Sequence, residues 1–140
     1  TGYFTENIIV TPHMKEMSRL TGIQIEEMKE NPVRTAREFA DQYGVVCVLK
    51  DAATVIAGRD GKTFVNGSGT PAMAKGGSGD VLTGVIAGLV ALGLEESDAA
   101  ALGVYVHGLA GEAAEQHFGV HGVLAGEIAD CLPEVYRDGI

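Results

Sequence analysis

NGSGTPAMAKGGSGDVLTGVIAG, residues 66–88, joins a glycine-rich run to an apolar segment with helical spacing. It holds one lysine, Lys75, and the tight sequence Gly76-Gly77-Ser78-Gly79-Asp80. Glycine allows the backbone to turn at positive φ and to approach a ligand closely. The first amides of a helix carry partial positive charge. A loop of this kind entering a helix is a candidate anion site, most naturally for phosphate. Asp80 falls at the helix mouth, where a carboxylate can cap backbone amides or act as a base; both readings stay open. The run is not a Walker A loop, because Lys75 is followed by Gly76. Gly67 to Ala72 fits GxGxxA in form, but Pro71 lies inside it and no helix is predicted there, so it reads as turn chemistry.

Upstream, Ile8-Ile9-Val10 reads as a short buried strand ended by Thr11-Pro12-His13. Met14, Met17 and Leu20 mark a short amphipathic helix closed by Gly22, and Ile23–Glu30 a further turn or two. Asn31 and Pro32 open a third helix with Val33, Ala36, Ala40 and Tyr43 inward and Gly44 at its end. Val45–Leu49 is continuous and apolar, a strand buried on both faces. Val55–Ala57 and Lys62–Val65 flank Arg59-Asp60-Gly61 as an antiparallel hairpin. Downstream, helices are predicted from about Asp80 to Leu92, from a Ser97 cap to Phe118, and from Leu124 to Leu132, stopping before Pro133. Gly84 and Gly88, and Gly103, His107 and Gly111, recur at i, i+4 and predict close helix packing. The pattern is a layered α/β domain with flanking helices and a mixed sheet.

The chain has 140 residues, enough for one domain with a real core, and 46% apolar content, which argues against disorder. A net charge of −9 disfavours nucleic acid and anionic membranes as partners. No apolar run reaches the roughly 18 residues of a membrane span. Cys47 and Cys131 are far apart and predict no disulfide framework, which favours a cytoplasmic location. No clustered Cys/His spacing suggests structural zinc, and no metal ligand is assigned.

Three further places carry candidate chemistry. Lys50 and Thr54 follow a buried strand, and ligands of open α/β sheets bind beyond the carboxyl ends of strands. A solvated turn explains them equally well. His13 precedes Glu16 at i+3; the pair suits a substrate contact or a histidine held by a carboxylate at a helix start. Ser68 and Ser78 lack a Ser-His-Asp setting.

Thr11-Pro12-His13-Met14-Lys15-Glu16, Leu49-Lys50-Asp51-Ala52-Ala53-Thr54 and Asn66–Gly84 together closely resemble the ADP/ATP-dependent NAD(P)H-hydrate dehydratases of the ribokinase-like superfamily. The resemblance covers residues 1–140 but only about the C-terminal half of the usual family domain. It implies repair of NADH or NADPH hydrates, with ADP or ATP as co-substrate and Mg²⁺ bridging phosphates. It implies that Gly76, Gly77, Ser78 and Gly79 form the anion hole, and that Lys50, Asp51, Ala52, Ala53, Thr54 and Gly79 contact the adenine nucleotide. Asp80 would activate the substrate hydroxyl, and His13 would lie against the hydrated nicotinamide nucleotide. Asp51 departs from the glycine that many relatives carry after the lysine. With the front half of the family domain outside the chain, a homo-oligomer or association with that half is expected. A ribokinase-like kinase for a vitamin-precursor alcohol, or a non-catalytic nucleotide-binding fragment, would share the GGSGD pattern.

Overall fold

Val46–Leu49 is the spine of a four-stranded sheet in the computed structural model, which describes residues 7–69, 77–119 and 125–138. The strands are β1 (Ile9–Val10), β2 (Val46–Leu49), β3 (Thr54–Ala57) and β4 (Thr63–Asn66), in that spatial order. β1 and β2 run parallel, with Ile9 opposite Val46; β2–β3 and β3–β4 are antiparallel. A parallel pair needs a long crossover. Here three helices supply it: α1 (Met14–Thr21), α2 (Ile25–Glu30) and α3 (Pro32–Tyr43). The remaining elements are α4 (Ser78–Ala91), α5 (Glu96–Phe118), α6 (Ala125–Asp130) and α7 (Leu132–Arg137).

The chain divides into two compact units. The sheet unit runs to Asn66 and includes Glu95–Ala101; the helical unit is Gly67–Leu94 with Leu102 onward. In the sheet unit, alternation along β2 sends Cys47 and Leu49 into one cluster with Met14, Met17, Met28, Ala36 and Phe39. Val46 and Val48 point the other way and are also fully buried, so both faces of β2 are covered. Burial pushes the Cys47 thiol up to about 12, as a dry apolar site disfavours the thiolate. Cys47 and Cys131 are both free.

Several local expectations need correction. Val33 is exposed and Phe39 buried, so the inner face of α3 is turned toward Phe39. Phe39 and Tyr43 meet in a tilted ring contact with centroids 4.7 Å apart. Leu20 is exposed, which leaves Met14 and Met17 as the buried stripe of α1. Ser97 does not cap α5. Glu95 does, accepting from the amides of Ser97 (3.0 Å) and Asp98 (3.3 Å). Those bonds, with Lys62 nearby, outweigh the desolvation that would raise the carboxylate and hold it below its usual range. Ser97 is buried instead and accepts the Arg59 amide at 2.8 Å. Pro133 does not follow the last helix. It sits in the first turn of α7, where its missing N–H costs nothing.

Within the helical unit Gly103 behaves differently from Gly84 and Gly88. A Cβ at Gly103 would lie 2.6 Å from Ile86 Cγ1, so close packing there requires glycine. Gly84 and Gly88 have nothing within 4 Å of an added Cβ. They line an open apolar groove of about 550 Å³ that also borders Ala129, Leu132 and Tyr136. The expected helix packing at Gly84 and Gly88 is therefore not found among the described residues.

Candidate active site

The sheet unit presents the carboxyl ends of its two parallel strands. Beyond β1 and β2, His13 and Lys50 pair in a parallel bridge, and the Lys50 amide donates to the Pro12 carbonyl at 2.9 Å. Backbone pairing thus joins two of the sequence-predicted residues at one end of the sheet. Asp51, Ala52 and Ala53 form an exposed bend, and Thr54 begins β3. The Lys50 and Asp51 side chains make no ion pair among the described residues.

His13 caps α1. Its Nδ1 accepts the Glu16 amide at 3.1 Å, and Glu16 Oε1 accepts the His13 amide at 3.1 Å, a reciprocal capping box. An accepting Nδ1 places the ring proton on Nε2, which lies 3.1 Å from Glu16 Oε1. The ring is about half exposed, so the helix-start role leaves one edge open to solvent.

The helical unit presents the start of α4. Gly77 adopts a left-handed conformation (φ 88°), and a Cβ on it would also approach Ala125 Cβ at 3.3 Å. A side chain there is strained on both counts. Gly77 turns the chain so that its carbonyl accepts the amides of Asp80 (3.1 Å) and Val81 (3.3 Å). The amides of Ser78 and Gly79 are left without an acceptor among the described residues, as the first amides of a helix are. The helix therefore begins at Ser78, two residues before the expected Asp80.

Asp80 is in the first turn of α4 and exposed. Its carboxylate caps nothing among the described residues, which removes the helix-cap account of this side chain there. Ser78 is turned inward: it is buried, with Oγ 3.4 Å from Nε2 of the buried His107 on α5. Ser78 can thus offer a ligand its amide, while its hydroxyl is engaged by the protein. Gly76 lies outside the described residues. His107 was missed as a site residue, although its i, i+4 spacing from Gly103 was visible.

One grouping of potential ligand atoms is not visible in the sequence spacing. His117, Cys131 and Glu134 bring one ligand atom each to within 4.8 Å of one another. His117 Nε2 lies 3.3 Å from Glu134 Oε2, and burial, then Glu134 and Asp130, raise the Cys131 thiol.

A mixed sheet with a parallel pair, a hairpin edge and a helix entered by a glycine-rich run is a ribokinase-like arrangement. The fold matches an Enterococcus faecalis ribokinase-like superfamily protein with a TM-score of 0.83 at 32% identity, over 97% of this chain and 46% of that one. It also matches the Bacillus subtilis ADP/ATP-dependent NAD(P)H-hydrate dehydratase co-crystallised with ATP and Mg²⁺, with a TM-score of 0.89 at 39% identity, over 93% of this chain and 47% of that one. The chain belongs to the NAD(P)H-hydrate dehydratase family, whose model matches residues 1–134. A bifunctional NAD(P)H-hydrate repair enzyme of Moorella thermoacetica is 45% identical over 131 residues, 94% of this chain and 25% of that protein. The chain thus spans about half the length of the single-function relatives and a quarter of the bifunctional ones.

Proposed function

We propose that the protein carrying this chain returns hydrated NADH or NADPH to the reduced cofactor, with ADP or ATP as phosphoryl donor. The observation that carries the reading is the start of α4. Gly77 turns it, the Ser78 and Gly79 amides lack acceptors among the described residues, and Asp80 bears a carboxylate that caps nothing there. Family membership supports it, as does the Bacillus subtilis relative, named an ADP-dependent (S)-NAD(P)H-hydrate dehydratase and 39% identical over 130 residues.

The chemistry follows from the leaving group. Hydroxide leaves poorly, so the 6-hydroxyl is first phosphorylated. Asp80 takes the hydroxyl proton as the oxygen attacks the terminal phosphorus of the nucleotide. Gly76, Gly77, Ser78 and Gly79 form the anion hole, where backbone amides meet the charge on the transferring group. The C6–O bond then breaks with its electrons leaving on phosphate. The ring nitrogen's lone pair assists, and loss of a ring proton restores the double bond. Lys50 to Thr54 contact the adenine nucleotide and His13 the nicotinamide nucleotide.

Mg²⁺ prefers oxygen ligands and keeps several waters, so nucleotide phosphates can hold it without a protein cage. The exposed Asp80 carboxylate fits as a partner for one of those waters. When bound, the cation neutralises phosphate charge.

The proposal includes work with the other half of the family domain or as a homo-oligomer. Exposed Val65 on the edge strand β4 and Leu92 at the end of α4 are apolar groups that such association would cover. A cytoplasmic location is also part of it, supported by the two free cysteines. No helix among the described residues is long and apolar enough to cross a membrane.

The test incubates hydrated NADH with ADP or ATP and Mg²⁺ and follows NADH absorbance. Recovery of absorbance is expected in the longest natural polypeptide that carries this chain. No recovery, with phosphorylation of a thiazole or pyrimidine alcohol, points to a kinase instead. Nucleotide binding without turnover in residues 1–140, with turnover in the longer polypeptide, identifies these residues as a nucleotide-binding fragment.

A further inference from the structure

We propose that α5 is the platform that holds both flanks of the glycine-rich stretch, with Glu112, Gly108 and His107 as positioning residues. The upstream flank lies on one stripe of α5. Ser68 Oγ donates to the Tyr105 carbonyl at 3.1 Å, and the Gly69 amide donates to Glu112 Oε1 at 2.9 Å. Between them Gly108 leaves room for the chain: a Cβ there would lie 1.9 Å from Ser68 Oγ and 2.8 Å from the Ser68 carbonyl carbon. Tyr105, Gly108 and Glu112 are spaced i, i+3, i+7, one face of a helix. The downstream flank is held one residue around the same helix, where His107 Nε2 meets Ser78 Oγ at 3.4 Å. All these residues belong to the helical unit.

The physical need is clear from composition. Residues 67–79 include five glycines, which give the backbone wide freedom. Two anchors on one helix fix Ser68 and Gly69 on one side of that segment and Ser78 on the other. Glu112 is an anionic acceptor, and a hydrogen bond to a charged group is stronger than one between neutral groups. A Cβ at Gly108 would collide with the Ser68 side chain and also with its carbonyl carbon, and turning the side chain alone cannot relieve the second contact.

The catalytic consequence rests on the proposed function, since it takes the Ser78 and Gly79 amides beside the downstream anchor to bind phosphate. The anchoring itself does not, and the experiment separates the two. Amide hydrogen exchange and calorimetry with ADP and Mg²⁺ are run on the longest natural polypeptide carrying this chain. Glu112→Ala is expected to speed exchange at Gly69 and to weaken ADP binding, each about tenfold. Glu112→Gln, whose carbonyl still accepts the amide, restores both to within about threefold of wild type. His107→Asn is expected to speed exchange at the Asp80 amide, which donates to the Gly77 carbonyl, and not at Gly69. Wild-type exchange in Glu112→Ala overturns the proposal, as does equal acceleration of both flanks by each variant. Faster exchange in a protein that binds no ADP upholds the anchoring and overturns the phosphate reading. Should Glu112→Ala not fold, His107→Asn still decides, because faster exchange is expected at the start of α4 alone, and an unchanged rate there overturns the proposal.

Discussion

Two mouths of this molecule are held by different kinds of bond. In the sheet unit, Lys50 and His13 are placed by backbone pairing across the ends of β1 and β2. Their side chains take almost no part in that, apart from the His13–Glu16 capping box. In the helical unit, Ser78 and Gly69 are placed by side chains on α5, and Gly77 by its own left-handed backbone. Backbone pairing tolerates side-chain change, because every residue type except proline brings the same donor and acceptor. Side-chain anchoring does not, because one truncation removes the partner. The sheet mouth can therefore vary its ligand contacts without loss of fold, while the α4 mouth ties shape to residue identity.

Four measurements sharpen or break this contrast. The largest expected effect is at Asp80: Asp80→Asn should lower turnover about 10²–10⁴-fold, the range for loss of a general base, with ADP affinity largely kept. Near-normal turnover in that variant would remove Asp80 as the base. Next, Gly77→Ala should destabilise the fold by about 1–3 kcal/mol in urea unfolding, from the left-handed φ of 88° and the Ala125 approach. Unchanged stability would mean that the α4 mouth relaxes freely.

The third is a pH effect in the sheet unit. The Cys47 thiol is raised by burial from 9.0 to about 12, so its contribution to stability is fully present below pH 9. That contribution is lost as pH rises from there toward about 12, because the unfolded chain ionises first. Alkaline unfolding monitored beside Cys47→Ala should show the wild type losing more stability over this window; parallel curves would contradict a dry β2. The smallest effect is at Lys50: Lys50→Ala should change stability by no more than about 0.5 kcal/mol, as surface substitutions do, while weakening nucleotide binding. A stability loss as large as that of Gly77→Ala would erase the contrast.

How much was legible depended on how local the signal was. The β2 spine, the hairpin and the Asn31–Pro32 start of α3 were read correctly, since apolar runs, turn residues and caps act within a few positions. The face of α3 was misjudged at Val33 because a partial stripe does not say which edge the core takes. Ser97 looked like a cap by residue type, yet its burial against Arg59 decided its role over a separation of 38 residues.

The same division holds at the candidate site. By itself the sequence determined that a glycine-rich run enters a helix, that Asp80 stands at its mouth, and that Lys50 follows a buried strand. These are consequences of glycine's missing Cβ and of apolar periodicity. Only the tertiary structure decided that Ser78 turns inward to His107 and that the Gly69 amide meets Glu112, across 29 and 43 residues. It also decided that Gly103 is packed while Gly84 and Gly88 stand open. Equal i, i+4 spacing marks a face but not its partner; the partner is chosen when distant segments compete for the same volume.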